Sequence, residues 1–290
     1  MCRWLAYYGD PIPIETLVFR RQHSLIDQSL HSRMGATTTN GDGFGIGWYT
    51  KLGGAPAVYR SVHPAWNDRN LRELAAHVSS PLFFAHIRAS TGTAVQETNT
   101  HPFRRGRWLF MHNGLIREFP RVRRDLLLAV DPELLPEIEG STDSELLFYL
   151  ALTFGLERSA VEALERMAGL VEDVAEAHGI DDPLQMSVAA TDGERIIAVR
   201  YSSEGKSRSL YFSTHARVLK EQYPDLEELQ ALSDEARAVV SEPLGDLVGA
   251  WNEVPESSVG IVQPGQDDLR PFTPQRSVAA ATVSQPSAFS

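Results

Sequence analysis

Two kinds of apolar spacing share this chain. Where apolar residues recur three and four apart they predict amphipathic helices, and Val161, Leu164, Ala168, Val171 and Ala175 do so within a helix expected from about Ser159 to His178. Helices are also expected from about Asp68 to Val78 and from about Phe119 to Val130, with a short one after the prolines of PIPIETLVF, Pro11 to Phe19. Short apolar runs bounded by turn residues predict strands instead. These are CRWLAYYG, LFFAHIRAST (Leu82 to Thr91), WLFMHNGLI (Trp108 to Ile116), and from Gln185 onward QMSVAAT, RIIAVRY, SLYFST, ARAVVSEPL and SVGIVQ. Asp192-Gly193 between two of these runs is a hairpin signal.

Local chemistry refines the pattern. EGSTDSELLFYLALTF begins a strong helix, and Thr142 followed by Glu145 matches a capping box that puts Asp143 in the first turn. In NGDGFGIGWY, Asn40 to Tyr49, glycines alternate with larger residues, so one face of a turn and strand is stripped for the close approach of another backbone or of a ligand. The register fits no phosphate-binding loop. From about Thr273 the chain loses its large apolar residues, and 273–290 is expected to be a disordered tail behind one domain spanning 2–272.

A 42% apolar content is enough for a sizeable core, whereas a formal net charge of -11 and the absence of a long basic run argue against a general nucleic-acid binder. Arg117, Arg121, Arg123 and Arg124 form a solvated helix face. One cysteine allows no intrachain disulfide, no apolar stretch reaches membrane-spanning length, and no signal segment is recognisable, so the expected location is the cytoplasm, away from any membrane.

That cysteine is Cys2, directly after the initiator methionine. Removal of Met1 would place a thiol and a free α-amine on one residue, and with ordinary pKa values of about 8.5 and about 7.7 to 8.0 the two can exchange a proton near neutral pH. The alternative is a small buried residue at the start of a strand. Arg88, where a strand leaves the core, suits a carboxylate of either a substrate or the protein itself. Asn113-Gly114 is either a turn or a pair of donors facing a developing oxyanion. Asp143 either complements a helix dipole or holds an ammonium group.

In order along the chain, MCR, NGDGFGIGWY, HIRAST, NTHPF, MHNG and STDSE resemble the class II glutamine amidotransferases, over nearly the whole chain to about residue 265. The later segments VAATDGE, SLYFST and VVSEPL resemble the stand-alone branch that includes the amidotransferase-like subunit of the fungal glutathione-degrading complex, with the γ-glutamyl hydrolase of ergothioneine synthesis nearby. The resemblance implies an α+β fold of the N-terminal nucleophile hydrolase type, a four-layer αββα sandwich of mostly antiparallel sheets. It implies that Cys2 attacks a γ-carbonyl while Asn113 and Gly114 stabilise the oxyanion. Arg88, with Thr91 beside it, would bind the α-carboxylate, and Asp143 the α-ammonium. Many family members carry tryptophan and histidine where this chain has Ala89 and Gly92, which implies room for a γ-substituent larger than an amide nitrogen.

The expected activity is therefore hydrolysis of a γ-glutamyl amide, glutamine or a peptide such as glutathione, with no cofactor and with a peptidase or synthase subunit as the partner to consider. An ammonia-donating subunit of a separate synthase and a non-catalytic glutamine sensor are the alternatives. A metal site at His86, His101 and His112 is disfavoured by the absence of HExxH and of any cysteine pair; satisfied core histidines are the expectation there. A serine hydrolase would need GxSxG, which is absent.

Overall fold

The computed structural model describes residues 2–34, 39–90 and 92–276. Strand β1 (Arg3–Pro13) is followed by α1 (Glu15–Val18), α2 (Leu25–His31), the hairpin β2 (Phe44–Tyr49) and β3 (Ala57–Ser61), then α3 (Arg69–His77) and β4 (Ser79–Ile87). Strands β5 (Phe103–Arg105) and β6 (Trp108–Ile116) lead into the helical middle of α4 (Phe119–Leu128), α5 (Asp143–Thr153) and α6 (Ala160–Ala177). The last third holds β7 (Leu184–Thr191), β8 (Ile196–Ser202), β9 (Tyr211–Ser213), α7 (Ala216–Gln222) and α8 (Glu227–Gln230). It closes with β10 (Arg237–Val240), β11 (Trp251–Glu253), β12 (Ser258–Val262) and β13 (Asp268–Pro271).

The strands form two antiparallel sheets, ordered β11-β9-β10-β1-β4-β2-β3 and β13-β12-β8-β7-β6-β5. Their apolar runs are nearly continuous because the central strands are buried on both faces. Trp4, Ala6 and Tyr8 of β1, Leu82 and Phe84 of β4, Leu109 and Met111 of β6, and Ala198 of β8 fill the space between the sheets. The alternate residues Leu5, Tyr7, Phe83 and Ala85 face α1, α2 and α3, while Phe110, Val188, Ala190 and Val199 face α4, α5 and α6. Three apolar cores thus separate four layers, helix, sheet, sheet, helix, as the resemblance implied.

The expected helices at α3, α4, α5 and α6 and the expected strands are present, with differences that have local causes. The prolines of PIPIETLVF extend β1 rather than ending it, leaving only Glu15–Val18 helical. Thr142 caps α5 through the Glu145 amide (3.2 Å), but the Glu145 carboxylate turns to the amides of Glu139 and Gly140 instead of closing the box. Asn113-Gly114 is not a turn: β6 runs through it to Ile116, paired with β7. The stripped glycine face of β2 packs closely on its neighbours, backbone at Gly45 and side chains at Gly47, rather than on open space. A Cβ on Gly45 would collide with the His101 carbonyl, and one on Gly47 would press on Leu109 and Pro102. Residues 273–276, expected as the start of the tail, are tied to α6: Gln275 N donates to Glu165 O (2.9 Å), and Arg276 pairs with Asp173 and Glu176. The rest of the expected tail, 277–290, lies outside the described residues. Among those residues no helix is long and apolar enough to cross a membrane.

The start of β1 is fastened by a buried ion pair. Arg3 Nε meets Glu242 Oε2 at 2.7 Å, with both side chains 2% exposed, and Arg3 also donates to Ser32 Oγ and to the Cys2 carbonyl (2.9 Å). Glu242 further accepts the amides of Arg33 (2.9 Å) and Met34 (3.2 Å) and bonds His23 Nε2 (2.5 Å). Burial alone would raise the Glu242 carboxyl, but His23, these amides and Arg3 outweigh it and hold it below the ordinary carboxylate value. Its contribution to stability is therefore present above the unfolded value of about 4.3 and is lost as pH falls through the lower folded one. Glu242→Ala should cost about 3 to 5 kcal/mol at neutral pH, since Arg3 is left buried without its anion. Urea unfolding checks this, and the deficit should shrink as acid protonates Glu242 in the parent protein; a deficit constant down to pH 3 would contradict the assignment.

Candidate active site

One cleft at the end of the sandwich collects five of the six residues singled out from the sequence. Cys2, Arg88, Asn113, Gly114 and Asp143 all line it, together with Ala89, Ser90, Thr93, Ser144 and Arg208. Thr91, the sixth, lies outside the described residues. A larger apolar cavity of about 490 Å³, lined by residues such as Leu17, Leu219, Leu229 and Trp251, does not include Cys2. Size therefore does not locate the chemistry here; converging polar groups do.

Cys2 directly precedes β1 and is half-buried beside the chain leaving β4. Its Sγ lies 3.4 Å from the Ala89 amide and 3.6 Å from the Ala89 carbonyl. Burial pushes the thiol up, opposed by the Ala89 backbone and by the Arg88 and Arg3 guanidiniums. Ala89 thus serves through its main chain.

Arg88 is held on both sides of its peptide unit by the glycine-rich turn: its amide donates to Gly43 O (2.8 Å), and its carbonyl accepts from Asp42 N (3.1 Å). Its guanidinium donates to Thr93 Oγ1 (2.6 Å), Ser90 Oγ (3.3 Å) and Asp42 O (3.5 Å), and among the described residues no carboxylate forms an ion pair with it. The ordinary salt bridge weighed for Arg88 is therefore not present: its guanidinium lines the cleft bonded only to neutral oxygens, with the Asp42 carboxylate near enough to favour its charge but not in contact with it. Asp42 spends its carboxylate on the Ser90 amide (2.7 Å).

Asn113 is 4% exposed, and its side-chain amide makes no hydrogen bond with the described residues. Gly114 must be glycine where it stands, because a Cβ would strike the Gln185 carbonyl of the adjoining β7 and the His112 imidazole. Asp143, first residue of α5, accepts from Ile116 N (2.9 Å) and Ser144 N (2.8 Å), which pins the end of β6 to the helix. Next to it Ser144 Oγ bonds His112 Nδ1 (2.8 Å), and His112 Nε2 donates to Gln185 O (3.2 Å). This fixes the neutral tautomer protonated on Nε2.

His112 is thus a satisfied core histidine, but His86 and His101 depart from that expectation. Their rings stack with centroids 4.1 Å apart, and none of their four ring nitrogens forms a well-aligned hydrogen bond with the described residues, although the His112 backbone lies near His86 and favours its charged form. Burial pushes His86 down to about 3 and His101 well below its ordinary value, so both are neutral core aromatics. No group of three His, Cys, Asp or Glu side chains among the described residues could hold a metal ion. Sequence reasoning assigned no role to Asp42, Ser90, Thr93, Ser144 or Arg208. The Asp42 signal was visible in NGDG, an acid set among glycines, whereas Thr93 and Arg208 stand in stretches with no pattern.

Two antiparallel sheets between helical layers, with a cysteine heading the first strand and a polar cleft around it, define an N-terminal nucleophile hydrolase architecture. The fold is shared with glutamine phosphoribosylpyrophosphate amidotransferase from B. subtilis, with a TM-score of 0.64 over 95% of this chain and 50% of that one. At 15% identity that likeness speaks for the fold alone. Residues 21–286 match the family described as "Glutamine amidotransferases class-II". The chain belongs to this family of glutamyl amide-hydrolysing enzymes. It is 34% identical over 289 residues to a Saccharomyces cerevisiae protein named "Probable glutamine amidotransferase DUG3", covering 89% of this chain and 81% of that protein. A "Gamma-glutamyl-hercynylcysteine sulfoxide hydrolase" of Mycobacterium tuberculosis is 28% identical over 203 residues, 69% of this chain and 77% of its own length. A solved glutamine aminotransferase class-II domain protein from Silicibacter pomeroyi superposes with a TM-score of 0.71 at 34% identity, covering 94% of this chain and all of that one.

The short Thr93 contact makes a specific demand. Thr93→Val removes the strongest neutral partner of Arg88 while keeping the shape, and should raise KM for a glutamyl substrate about 10-fold with a smaller effect on kcat. Steady-state glutamate release at varied substrate concentration checks this.

Proposed function

We propose that the protein hydrolyses the γ-amide of a γ-glutamyl compound through a thioester on Cys2. The observation that carries this reading is the convergence on one cleft of a thiol, a guanidinium with no direct ion pair among the described residues, a free side-chain amide and a carboxylate. Cys2 Sγ attacks the γ-carbonyl carbon, and Asn113 with the Gly114 N–H stabilises the tetrahedral oxyanion. The amine then leaves with a proton, and water cleaves the C–S bond to give glutamate and regenerate the thiol. Arg88, with Thr91, grips the α-carboxylate, and Asp143 the α-ammonium.

A raised thiol needs a base, and the local imidazoles are poor ones. Both nitrogens of His112 are engaged by Ser144 and Gln185, and burial holds His101, the other imidazole lining the cleft, well below its ordinary basicity. The α-amine of Cys2, exposed by removal of Met1, is the base this reading uses. Mass spectrometry should find Met1 absent from active protein. Cys2→Ala should abolish turnover while the fold persists, and a glutamine-analogue electrophile such as 6-diazo-5-oxonorleucine should label Cys2 alone. Asn113→Ala should lower kcat by about 10² to 10³, the usual loss of one preorganised oxyanion donor. An effect on KM alone would remove Asn113 from the oxyanion role.

The substrate we favour is a γ-glutamyl peptide, because the cleft is lined by the small Ala89 where many family members carry tryptophan; Gly92 is exposed and does not line it. The name of the mycobacterial relative, a γ-glutamyl hydrolase, supports the same choice. The yeast relative's name supports the second reading, glutaminase activity that supplies ammonia to a separate synthase. Comparing kcat/KM for glutathione and glutamine separates them: the purified protein should process the peptide at least as well, and a clear preference for glutamine would favour the ammonia donor.

A further inference from the structure

Strand β1 lies between β4 and β10, so Cys2 has two flanks. On the β4 flank stands Arg88. On the β10 flank, the linker joining β8 of one sheet to β9 of the other passes the cleft and contributes a second guanidinium, Arg208.

Arg208 is held in place by its neighbours rather than by its own side chain. Ser207 is fixed to Glu256 through its amide (2.9 Å) and hydroxyl (2.6 Å). Ser209 donates to the Ser241 carbonyl (2.8 Å), and Ser241 Oγ in turn accepts the Trp4 amide (2.9 Å), two residues from the nucleophile. The guanidinium itself forms no hydrogen bond and no ion pair among the described residues, and its Nε is buried without a partner. Burial and the nearby positive charge of Arg3 disfavour its charged form, while the Cys2 thiolate and Glu204 favour it. A buried donor without an acceptor is costly, and a planar fork is matched by a carboxylate.

We infer that Arg208 binds a carboxylate on the leaving-group half of the substrate, which makes the preferred substrate a γ-glutamyl amino acid or short peptide rather than glutamine. This rests on the proposed placing of the glutamyl α-carboxylate at Arg88. With that end bound on the β4 flank and the γ-carbon at Sγ, the departing amine extends toward the β10 flank, where Arg208 waits. Glutamine, whose leaving group is ammonia, has nothing to offer it.

The test is a cycle between one residue and one substrate group. Glutamate release from γ-glutamylcysteine and from glutathione is measured against the C-terminal amide of each, for the parent protein, Arg208→Gln and Arg208→Lys. The parent should favour the free carboxylate of at least one pair by about 10- to 100-fold in kcat/KM. Arg208→Gln should erase that preference, and Arg208→Lys should restore part of it. Thermal melting of the variants separates loss of fold from loss of recognition. If the parent discriminates no carboxylate from its amide, or if Arg208→Gln keeps the parent's ratio, the inference is overturned while γ-glutamyl hydrolysis stands. If the parent releases glutamate from glutamine but from none of the peptides, the peptide reading itself falls and this inference with it.

Discussion

The second residue of a chain ordinarily frays, yet here it is to sit in a fixed relation to groups from five other segments. The buried contact of Arg3 with Glu242 is what resists fraying. Arg3 reaches across to the far end of β10 and holds the Cys2 carbonyl at the same time, while Glu242 gathers the amides of Arg33 and Met34. Strand pairing on both sides of β1, Arg3 with Ile87 and Leu5 with Val240, completes the fixture. Such a pair is a poor net source of stability once desolvation is counted. Its value is positional, since it ties the head of β1 to a point 239 positions away in the sequence.

From that point the polar cleft is assembled by backbone more than by side chains. Ala89 meets the thiol through its amide and carbonyl, Arg88 is oriented by Gly43 and Asp42 main-chain atoms, and Gly114 is fixed by the nearness of β7. The glycines at 45 and 47 serve the same end at one remove. They let β2 lie directly against the His101–Pro102 segment and Leu109, so the two sheets close tightly behind the cleft.

This division explains what was legible in the sequence. Strands buried on both faces leave apolar runs, and α3, α4 and α6 leave a helical period, so the layers could be read directly. The short edge strands β3, β5, β11 and β13 and helices α2, α7 and α8 were not foreseen, because three to seven residues bear too little periodicity to stand above their neighbours. Asn113-Gly114 has the composition of a turn but lies inside β6, where pairing with β7 overrides local preference. The candidate site was visible wherever a special residue type was required, as at Cys2, Arg88 and Gly114. It was invisible where the function belongs to a long-range partner, as in the Arg3–Glu242 contact, or to a common residue in an unpatterned stretch, as at Thr93.

The two halves of the cleft are built from different kinds of structure. The wall with Arg88, Asn113, Gly114 and Asp143 comes from strand ends and a helix N-terminus locked by pairing and by the Asp143 bond to Ile116, and none of these can move without disturbing a sheet. The opposite wall, with Arg208, is a linker between sheets, anchored at Ser207 and Ser209 but carrying no ladder of its own. If the substrate binds as proposed, rigid elements suit the glutamyl half, which is common to every γ-glutamyl amide, and a connecting loop suits the half that differs among substrates. On this view a family can keep one chemistry and change its substrate by altering a few residues of the linker between β8 and β9, without touching the nucleophile or the framework that holds it.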